Sequence, residues 1–261
     1  MRRRRTIQVS SLQDDFGTTS KLVQSKVMNE TYPYLERSPL WRLVSAILYY
    51  VVAPIPAWLL SQIYGLRIRN RAAIRQLGGC YMYGNHTHWI DFLVPYLMAF
   101  PKRAYVVAGP VAFSVKGITN LVAMMGAVPL NNSEAGKVKF RQMLSAVIAA
   151  GNVVAVLPEA HIWPYYTGIR DFPSYSFTHP VRDAAPVLGY VTTYRQRRLL
   201  KFRPPTMTVT ISPAILPETW QGQADPKQVV RDAVHNFMTT TIQSQTSFPW
   251  IEYLGETRGR F

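Results

Sequence analysis

Short apolar runs alternate with longer amphipathic segments along most of the chain after residue 65. Runs of this length that end at turn residues are typical of buried strands, and cap residues mark the helices between them. Alternating strands and helices predict an α/β fold, with a mostly parallel sheet flanked by helices. The predicted strands cover residues 66–69, 80–83, 105–107, 127–130, 153–157, 186–193 and 207–211, and the predicted helices cover 72–77, 89–100, 117–125, 133–151 and 225–242.

The chain before residue 66 has a different pattern. Residues 1–37 are polar and basic and lack sustained periodicity, so we expect a poorly packed arm. Ser38 and Pro39 then supply the N-cap and the first position of a helix. No charged residue occurs for 22 residues at positions 43–64, and an apolar segment of this length is long enough to cross a bilayer.

Pro54 and Pro56 lie in the middle of this apolar segment and are expected to break regular helix there. We therefore predict that residues 38–65 form a broken, membrane-associated pair of helices that dips into one leaflet. A single membrane-spanning helix and a buried core helix remain alternatives. Arginines flank the segment on both sides, at positions 37, 42, 67 and 69, so the charges do not indicate one cytoplasmic side.

The overall charge narrows the class of partner. The chain has 29 basic and 14 acidic residues, a net charge of +15, and 48% hydrophobic residues. This combination favours anionic partners and a membrane surface. No nucleic-acid-binding motif is present, so no nucleic-acid partner is expected. The four arginines at residues 2–5 are either a mobile tail or a tether to anionic lipid. Cys80 is expected to be a strand residue and, as the single cysteine, cannot form an internal disulfide.

Two polar segments follow predicted strands, where open α/β sheets place their active sites. In the first, His86 lies in the turn after a strand and Asp91 at the opening of a helix. A carboxylate that accepts the Nδ1 hydrogen of an imidazole leaves Nε2 free as a base. We therefore predict a catalytic pair that removes a proton from an alcohol. The second segment, residues 157–164, contains Glu159 and His161.

The motif Asn85-His86-x-x-x-x-Asp91 resembles the first motif of the phospholipid/glycerol acyltransferase superfamily, which includes the bacterial lysophosphatidic acid acyltransferases. Three further blocks at residues 126–130, 157–162 and 185–187 resemble the later motifs of that family, in the same order. The resemblance extends over about residues 66 to 215.

Two of these blocks depart from the family pattern. The second block usually ends in Arg, where this chain has Asn131 and Asn132. The third usually contains Gly and Arg, where this chain has Ala160 and Ile162. Aromatic residues follow in the third block and are expected to line the site: Trp163, Tyr165 and Tyr166. Four basic residues are candidates for the missing phosphate-binding cation, namely Lys137, Lys139, Arg141 and Arg170.

The resemblance implies an O-acyltransferase that moves a fatty acyl group from acyl-CoA or acyl-carrier protein to a hydroxyl of a lysophospholipid. It implies His86 as general base, Asp91 as its orienting partner, and no metal or cofactor beyond the acyl thioester. Substrate contacts are expected from Asn85, Glu159, Ala160 and His161; for Glu159, organising the loop or capping backbone amides is the alternative. The acceptor would be a membrane lipid, and the location the cytoplasmic face of a membrane.

Other classes remain open. A metal-dependent hydrolase would use His86, His88, Asp91 and His161 as ligands, but the spacing differs from the H-x-H-x-D-H pattern because Ile90 stands at the acidic position. His88 is more simply a packing residue. A non-catalytic membrane-binding relative is the third class. We place the acyltransferase domain at residues 66–246, followed by a tail at 247–261 that packs on the domain or contacts lipid headgroups.

Overall fold

The computed structural model describes residues 5–11, 13–16, 28, 30–114, 117, 119–245 and 247–255. The α-helices are α1 (Pro39–Ile47), α2 (Pro54–Ile63), α3 (Ala72–Arg75), α4 (Val94–Ala99), α5 (Thr119–Met124), α6 (Glu134–Ala149), α7 (Thr178–Arg182) and α8 (Pro226–Gln245). The strands are β1 (Arg5–Val9), β2 (Arg67–Arg69), β3 (Cys80–Gly84), β4 (Ala104–Ala108), β5 (Ala127–Pro129), β6 (Val153–Val156), β7 (Val187–Arg195), β8 (Thr206–Ile211) and β9 (Ile251–Gly255). Every predicted strand and helix after residue 65 is present, with shifted ends.

Seven strands form one sheet in the order β2-β8-β7-β3-β6-β4-β5. Strands β3 to β7 run parallel to one another, whereas β8 is antiparallel to β7 and β2 runs with β8. The prediction of a mostly parallel α/β sheet is therefore confirmed. Because β3 lies between β6 and β7, the segments that leave these three strands meet at one edge of the sheet, which we call the carboxyl edge.

Helices cover both faces of this sheet, as the side chains of β3 demonstrate. Tyr81 and Tyr83 pack on one face with residues of α6 and α8, and Cys80 and Met82 pack on the other with residues of α3 and α4. A strand buried on both faces reads as a continuous apolar run rather than an alternation. Burial raises the pKa of the Cys80 thiol to about 12, so this cysteine is a core residue of the strand, as expected.

The apolar N-terminal segment, Pro39–Ile63, is one helical rod of 25 residues, and among the described residues it alone is long and apolar enough to cross a membrane. A π-helical turn, Leu48–Val52, joins α1 to α2, and the Ala53 N–H donates to the Leu48 carbonyl at 2.8 Å. A π turn widens the helix, so Pro54 is accommodated without ending it. The expected interruption near the prolines is present as this π turn between α1 and α2, and the helical path continues through it.

One stripe of the rod packs against the sheet domain along its length. Its buried residues, Ser45, Tyr49, Ala53 and Ala57, recur every fourth position and so share one helix face. Ser45 Oγ donates to the carbonyl of Met124 at 2.8 Å. The other faces of the rod are apolar and exposed, through Leu40, Leu43, Val44, Ile47, Val51, Val52, Ile55, Trp58, Leu59 and Ile63.

The two ends of the chain pair with each other in a second, two-stranded sheet. β1 runs parallel to β9, from Arg5 opposite Ile251 to Val9 opposite Gly255. The expectation of a poorly packed arm is therefore wrong for this part of it, and the tail packs on the domain. Pairing between strands so far apart in sequence leaves no local pattern to recognise. The arginines at residues 2–4, predicted to be a tail or a tether, lie outside the described residues.

Candidate active site

His86 and Asp91 face each other in the turn that follows β3. His86 Nδ1 lies 3.0 Å from Asp91 Oδ2, and this oxygen also accepts the backbone N–H groups of Thr87 at 2.6 Å and His88 at 2.7 Å. The Asp91 side chain is 2% exposed and the His86 side chain 22% exposed. Because the buried carboxylate accepts the Nδ1 hydrogen, the free lone pair of the imidazole is on Nε2.

A capping box builds this turn. His88 is the N-cap of the 3-10 turn Trp89–Phe92, since its Nδ1 accepts the Ile90 N–H while Asp91 accepts the His88 N–H. The other ring nitrogen of His88 lies 3.1 Å from the Tyr165 hydroxyl. Burial lowers the pKa of His88, which favours the neutral ring that a Nδ1 acceptor requires. His88 is therefore a packing residue, as the sequence analysis favoured, and it also caps the turn.

Asn85 lies at the end of β3 with its side chain turned into the domain. Its Oδ1 accepts the Thr192 N–H at 2.8 Å and its Nδ2 donates to the Thr192 carbonyl at 3.1 Å. The residue is 0% exposed. This position ties β3 to β7 just before His86, and it favours a structural part for Asn85 over the substrate contact that we expected.

Glu159 is buried beneath the turn and connects the two polar segments. Its Oε2 accepts the His86 N–H at 3.1 Å and a hydrogen from Arg170 Nη2 at 2.8 Å, while Oε1 accepts the Arg170 N–H at 3.1 Å. Both side chains of this ion pair are almost fully buried, at 0% and 2% exposure. The contacts match the alternative for Glu159, a carboxylate that organises the loop and receives backbone amides.

The loop after β6 runs beside the His86 turn and is strained at two positions. Ala160 and Tyr165 have φ angles of 61° and 59°, in the left-handed region that disfavours residues with a side chain. Backbone N–H groups of Trp163 and Tyr165 donate to the carbonyls of His86 and Thr87, at 3.2 and 2.8 Å. Ala160 is exposed at this edge, so it remains available for the predicted substrate contact.

Residues near both ends of the chain pack against this loop. Trp163 is 0% exposed and stacks on Tyr253 of β9, with 5.2 Å between ring centroids. Its Nε1 donates to the Asp14 carbonyl at 2.7 Å. Trp163 therefore anchors the termini, and the expectation that it lines the site is wrong. Half-buried His161 also lies on this side, close enough to contribute to the lowered pKa of Asp14, which backbone hydrogen bonds chiefly cause.

Of the four candidate cations, Arg170 is the one that the structure brings to the predicted site residues. Its Nη2 also donates to the His161 carbonyl, and its guanidinium stacks over the Trp163 ring at 4.9 Å. Lys137 instead pairs with Glu134 at 2.6 Å on α6, which follows the edge strand β5. Asn131 is buried at the start of the same helix, where its Oδ1 accepts the Ser133 N–H.

The metal-hydrolase alternative gains no support from the donor geometry. Both ring nitrogens of His88 take part in hydrogen bonds, and no group of three or more His, Cys, Asp or Glu side chains that could hold a metal ion occurs within the described ranges. His161 lies on the far side of the loop, toward Asp14.

Exposed apolar side chains border the turn. Trp89 and Phe92 are each 53% exposed, and Trp89 Nε1 donates to the hydroxyl of Tyr64, directly after the rod, at 3.2 Å. The apolar surface of the rod therefore continues to the turn that contains Asp91. The arrangement places the imidazole of His86 beside an exposed apolar surface.

The family resemblance seen in the sequence is confirmed. The chain belongs to the Acyltransferase family, whose model matches residues 65–212. Among solved structures, the fold is similar to that of the 1-acyl-sn-glycerophosphate (LPA) acyltransferase PlsC from Thermotoga maritima, with a TM-score of 0.53 and 14% sequence identity. This similarity covers 80% of the chain and 95% of PlsC. No match was found among curated proteins.

The sequence analysis did not predict the capping role of His88 or the structural role of Arg170. His88 caps the turn, and the sequence signal was incomplete, because an acid three positions later fits a capping box whereas His is not among the usual cap residues. The pairing of Arg170 with Glu159 had no comparable signal, since the two are 11 residues apart in an irregular loop.

Proposed function

We propose that this protein is a membrane-associated O-acyltransferase that moves a fatty acyl group from an acyl thioester to a hydroxyl of a lysophospholipid. The donor is acyl-CoA or acyl-carrier protein, and the enzyme acts at the cytoplasmic face. The single observation that carries the proposal is the 3.0 Å contact between His86 Nδ1 and buried Asp91. This contact engages Nδ1, so the lone pair of His86 Nε2 is free to accept a proton. The His86 side chain is 22% exposed.

His86 Nε2 takes the proton of the acceptor hydroxyl as its oxygen attacks the thioester carbonyl carbon. Asp91 stabilises the resulting imidazolium through Nδ1. When the tetrahedral intermediate collapses, the carbon–sulfur bond breaks and the thiolate leaves, taking the proton from His86. A thiol has a pKa of about 8.5, so the thiolate is a good leaving group. The products are an ester and a free thiol, and no covalent enzyme intermediate is required.

The N-terminal rod suits an acceptor that stays in the bilayer. Its buried stripe holds it against the domain along its length, which favours a rod lying in the membrane interface over one that spans the bilayer. Extraction of a long-chain lipid into water would cost about 0.8 kcal/mol for each CH₂ group. An enzyme whose site borders an embedded apolar surface avoids that cost.

The test is transfer by the full-length wild type and a His86→Ala variant, with products identified by mass spectrometry. We expect acyl transfer and release of free thiol to fall 100- to 10,000-fold or more without His86, the range for loss of a general base. His235→Ala, at a half-buried histidine of α8, is the matched control and should retain activity. Full activity of His86→Ala would end the proposal, and no transfer by the wild type would favour a non-catalytic relative.

A lipid acceptor without phosphate is the second candidate. It is favoured because buried Asn131 stands where the family usually has Arg, and because Arg170 is already paired with Glu159. Parallel assays with lysophosphatidic acid, monoacylglycerol and a glycolipid decide between the two. Preference for lysophosphatidic acid supports the first candidate, and transfer only to the uncharged lipids supports the second.

A further inference from the structure

The last residue of β7 and the turn that leads to β8 form a segment, residues 195–205, that is both basic and apolar, and we call it the hairpin tip. It contains five basic residues and no acidic one. Leu199 is 83% exposed, Leu200 49% and Phe202 60%. A soluble protein rarely exposes so many large apolar side chains among cations, whereas this mixture is typical of segments that lie in the interface of an anionic membrane.

The hairpin tip lies on the same side of the molecule as the candidate active site. β7 runs parallel to β3, so the tip leaves the sheet at the carboxyl edge, as the His86 turn does. Arg197 ties it to the end of the rod, because its Nη2 donates to the Ile63 carbonyl at 2.5 Å and its Nε to the Pro204 carbonyl at 2.8 Å. The exposed apolar side chains of the tip therefore lie next to the exposed apolar surface of the rod, and the cations of the tip lie among them.

Leu200 adds an independent observation. Its φ angle is 53°, in the left-handed region that is unfavourable for a residue with a side chain and that glycine adopts freely. The tip thus keeps an exposed apolar side chain at a position where the backbone alone would favour glycine. Such strain is found where a side chain has a use that stability does not explain.

We infer that the hairpin tip is a second membrane-binding element, separate from the rod, and that its partner is the surface of an anionic lipid bilayer. Leu199 and Leu200 insert among the acyl chains, while Arg198, Lys201 and Arg203 contact lipid phosphates. The inference rests on the membrane association in the proposed function. An acidic protein would match the cations equally well, but it would leave the exposed leucines without an apolar partner, so lipid is favoured.

The first experiment places an environment-sensitive fluorophore on the hairpin tip of the full chain. Cys80 is buried, so a maleimide label attaches selectively to Leu199→Cys. Gln223→Cys, in the exposed connection after β8 at the opposite edge, is the matched control. Vesicles of phosphatidylcholine mixed with phosphatidylglycerol should shift the emission of the label at 199 to the blue and leave the label at 223 unchanged.

The second experiment measures vesicle affinity. Replacing Arg198, Lys201 and Arg203 together by Gln should weaken binding to the anionic vesicles about 10- to 100-fold at low salt, with less effect at high salt. Leu200→Gly should weaken binding several-fold while raising thermal stability, which separates loss of contact from loss of fold.

The outcomes distinguish the two claims. If the wild type binds vesicles while the label at 199 stays in water and the variants bind unchanged, the hairpin inference is wrong and the proposed function stands. The same holds if the tip proves to bind an acidic carrier protein and not lipid. If the wild type binds no vesicles, both the inference and the membrane part of the proposed function fail.

Discussion

The two polar segments at the carboxyl edge are built in opposite ways. The His86 turn closes on itself, because Asp91 accepts hydrogens from His86, Thr87 and His88 within a span of six residues. The Glu159 loop depends on contacts between more distant residues, because Arg170 lies 11 residues after Glu159 and the paired chain ends cover Trp163. The turn keeps the first motif of the family unchanged, and the loop contains the departures from the third.

This contrast suggests that the turn and the loop have different roles. Under the proposed function, residues of the turn form the proton-transfer pair, whereas residues of the loop hold that pair in place through the N–H and carbonyl of His86. Substitutions in the turn should therefore affect chemistry more than stability, and substitutions in the loop should do the reverse. Each of the following changes tests one side of that expectation.

The largest effect is expected from Asp91→Asn. Because Asp91 Oδ2 makes all three contacts, an Asn carbonyl oxygen in its place can still accept the N–H groups of His86, Thr87 and His88. The Asn side chain has no charge, however, so it stabilises the imidazolium of His86 much less than the carboxylate does. Transfer should fall 100- to 10,000-fold, while the free energy of unfolding changes by about 1 kcal/mol. Steady-state kinetics and thermal denaturation measure the two effects. Substantial activity in this variant would contradict the role assigned to the charge of Asp91.

Arg170→Ala should act mainly on stability. It leaves the Glu159 carboxylate buried without its cation, and breaking such a pair costs about 3–5 kcal/mol. Denaturant titration should reveal this loss, while folded enzyme at low temperature should keep activity within about tenfold of wild type because the turn closes on itself.

Arg170→Lys is the conservative comparison for this loop. It keeps the charge beside Glu159 and should recover part of the lost stability, although it lacks the planar group that stacks on Trp163. A stable Arg170→Ala enzyme that has lost its activity would instead assign Arg170 to the substrate, and the division between turn and loop would be wrong.

The smallest effect is expected from Ala160→Gly, which restores the residue that the family has at this position. Glycine removes the strain of the left-handed backbone, worth about 1–2 kcal/mol, but adds about 0.5–1 kcal/mol of chain entropy to be lost on folding. The net gain in unfolding free energy should be up to about 1.5 kcal/mol, with little change in activity. A loss of stability would indicate that the methyl group of Ala160 makes a contact that the loop needs.

The part of the site that the sequence predicted correctly is the contact between His86 and Asp91, which are only five residues apart. The spacing of His86 and Asp91 could be interpreted from sequence because a turn of that length folds the carboxylate back onto the imidazole. The sequence analysis expected Asn85 to contact the substrate. It could not show the hydrogen bonds that Asn85 makes instead, because the partner, Thr192, is 107 residues away. The same limit applies to Trp163, whose partners Asp14 and Tyr253 come from the two ends of the chain.

The sequence by itself determined the α/β class, the order of strands and helices, the apolar N-terminal segment and the His86–Asp91 pair. All of these follow from periodicity, cap residues or contacts within a few residues. Only the tertiary structure decided that the rod is continuous, that Arg170 neutralises Glu159, that the chain ends pair, and that the basic hairpin tip emerges beside the active turn. These features depend on contacts between residues far apart in the chain, and such contacts become defined only when the sheet brings distant segments to one edge.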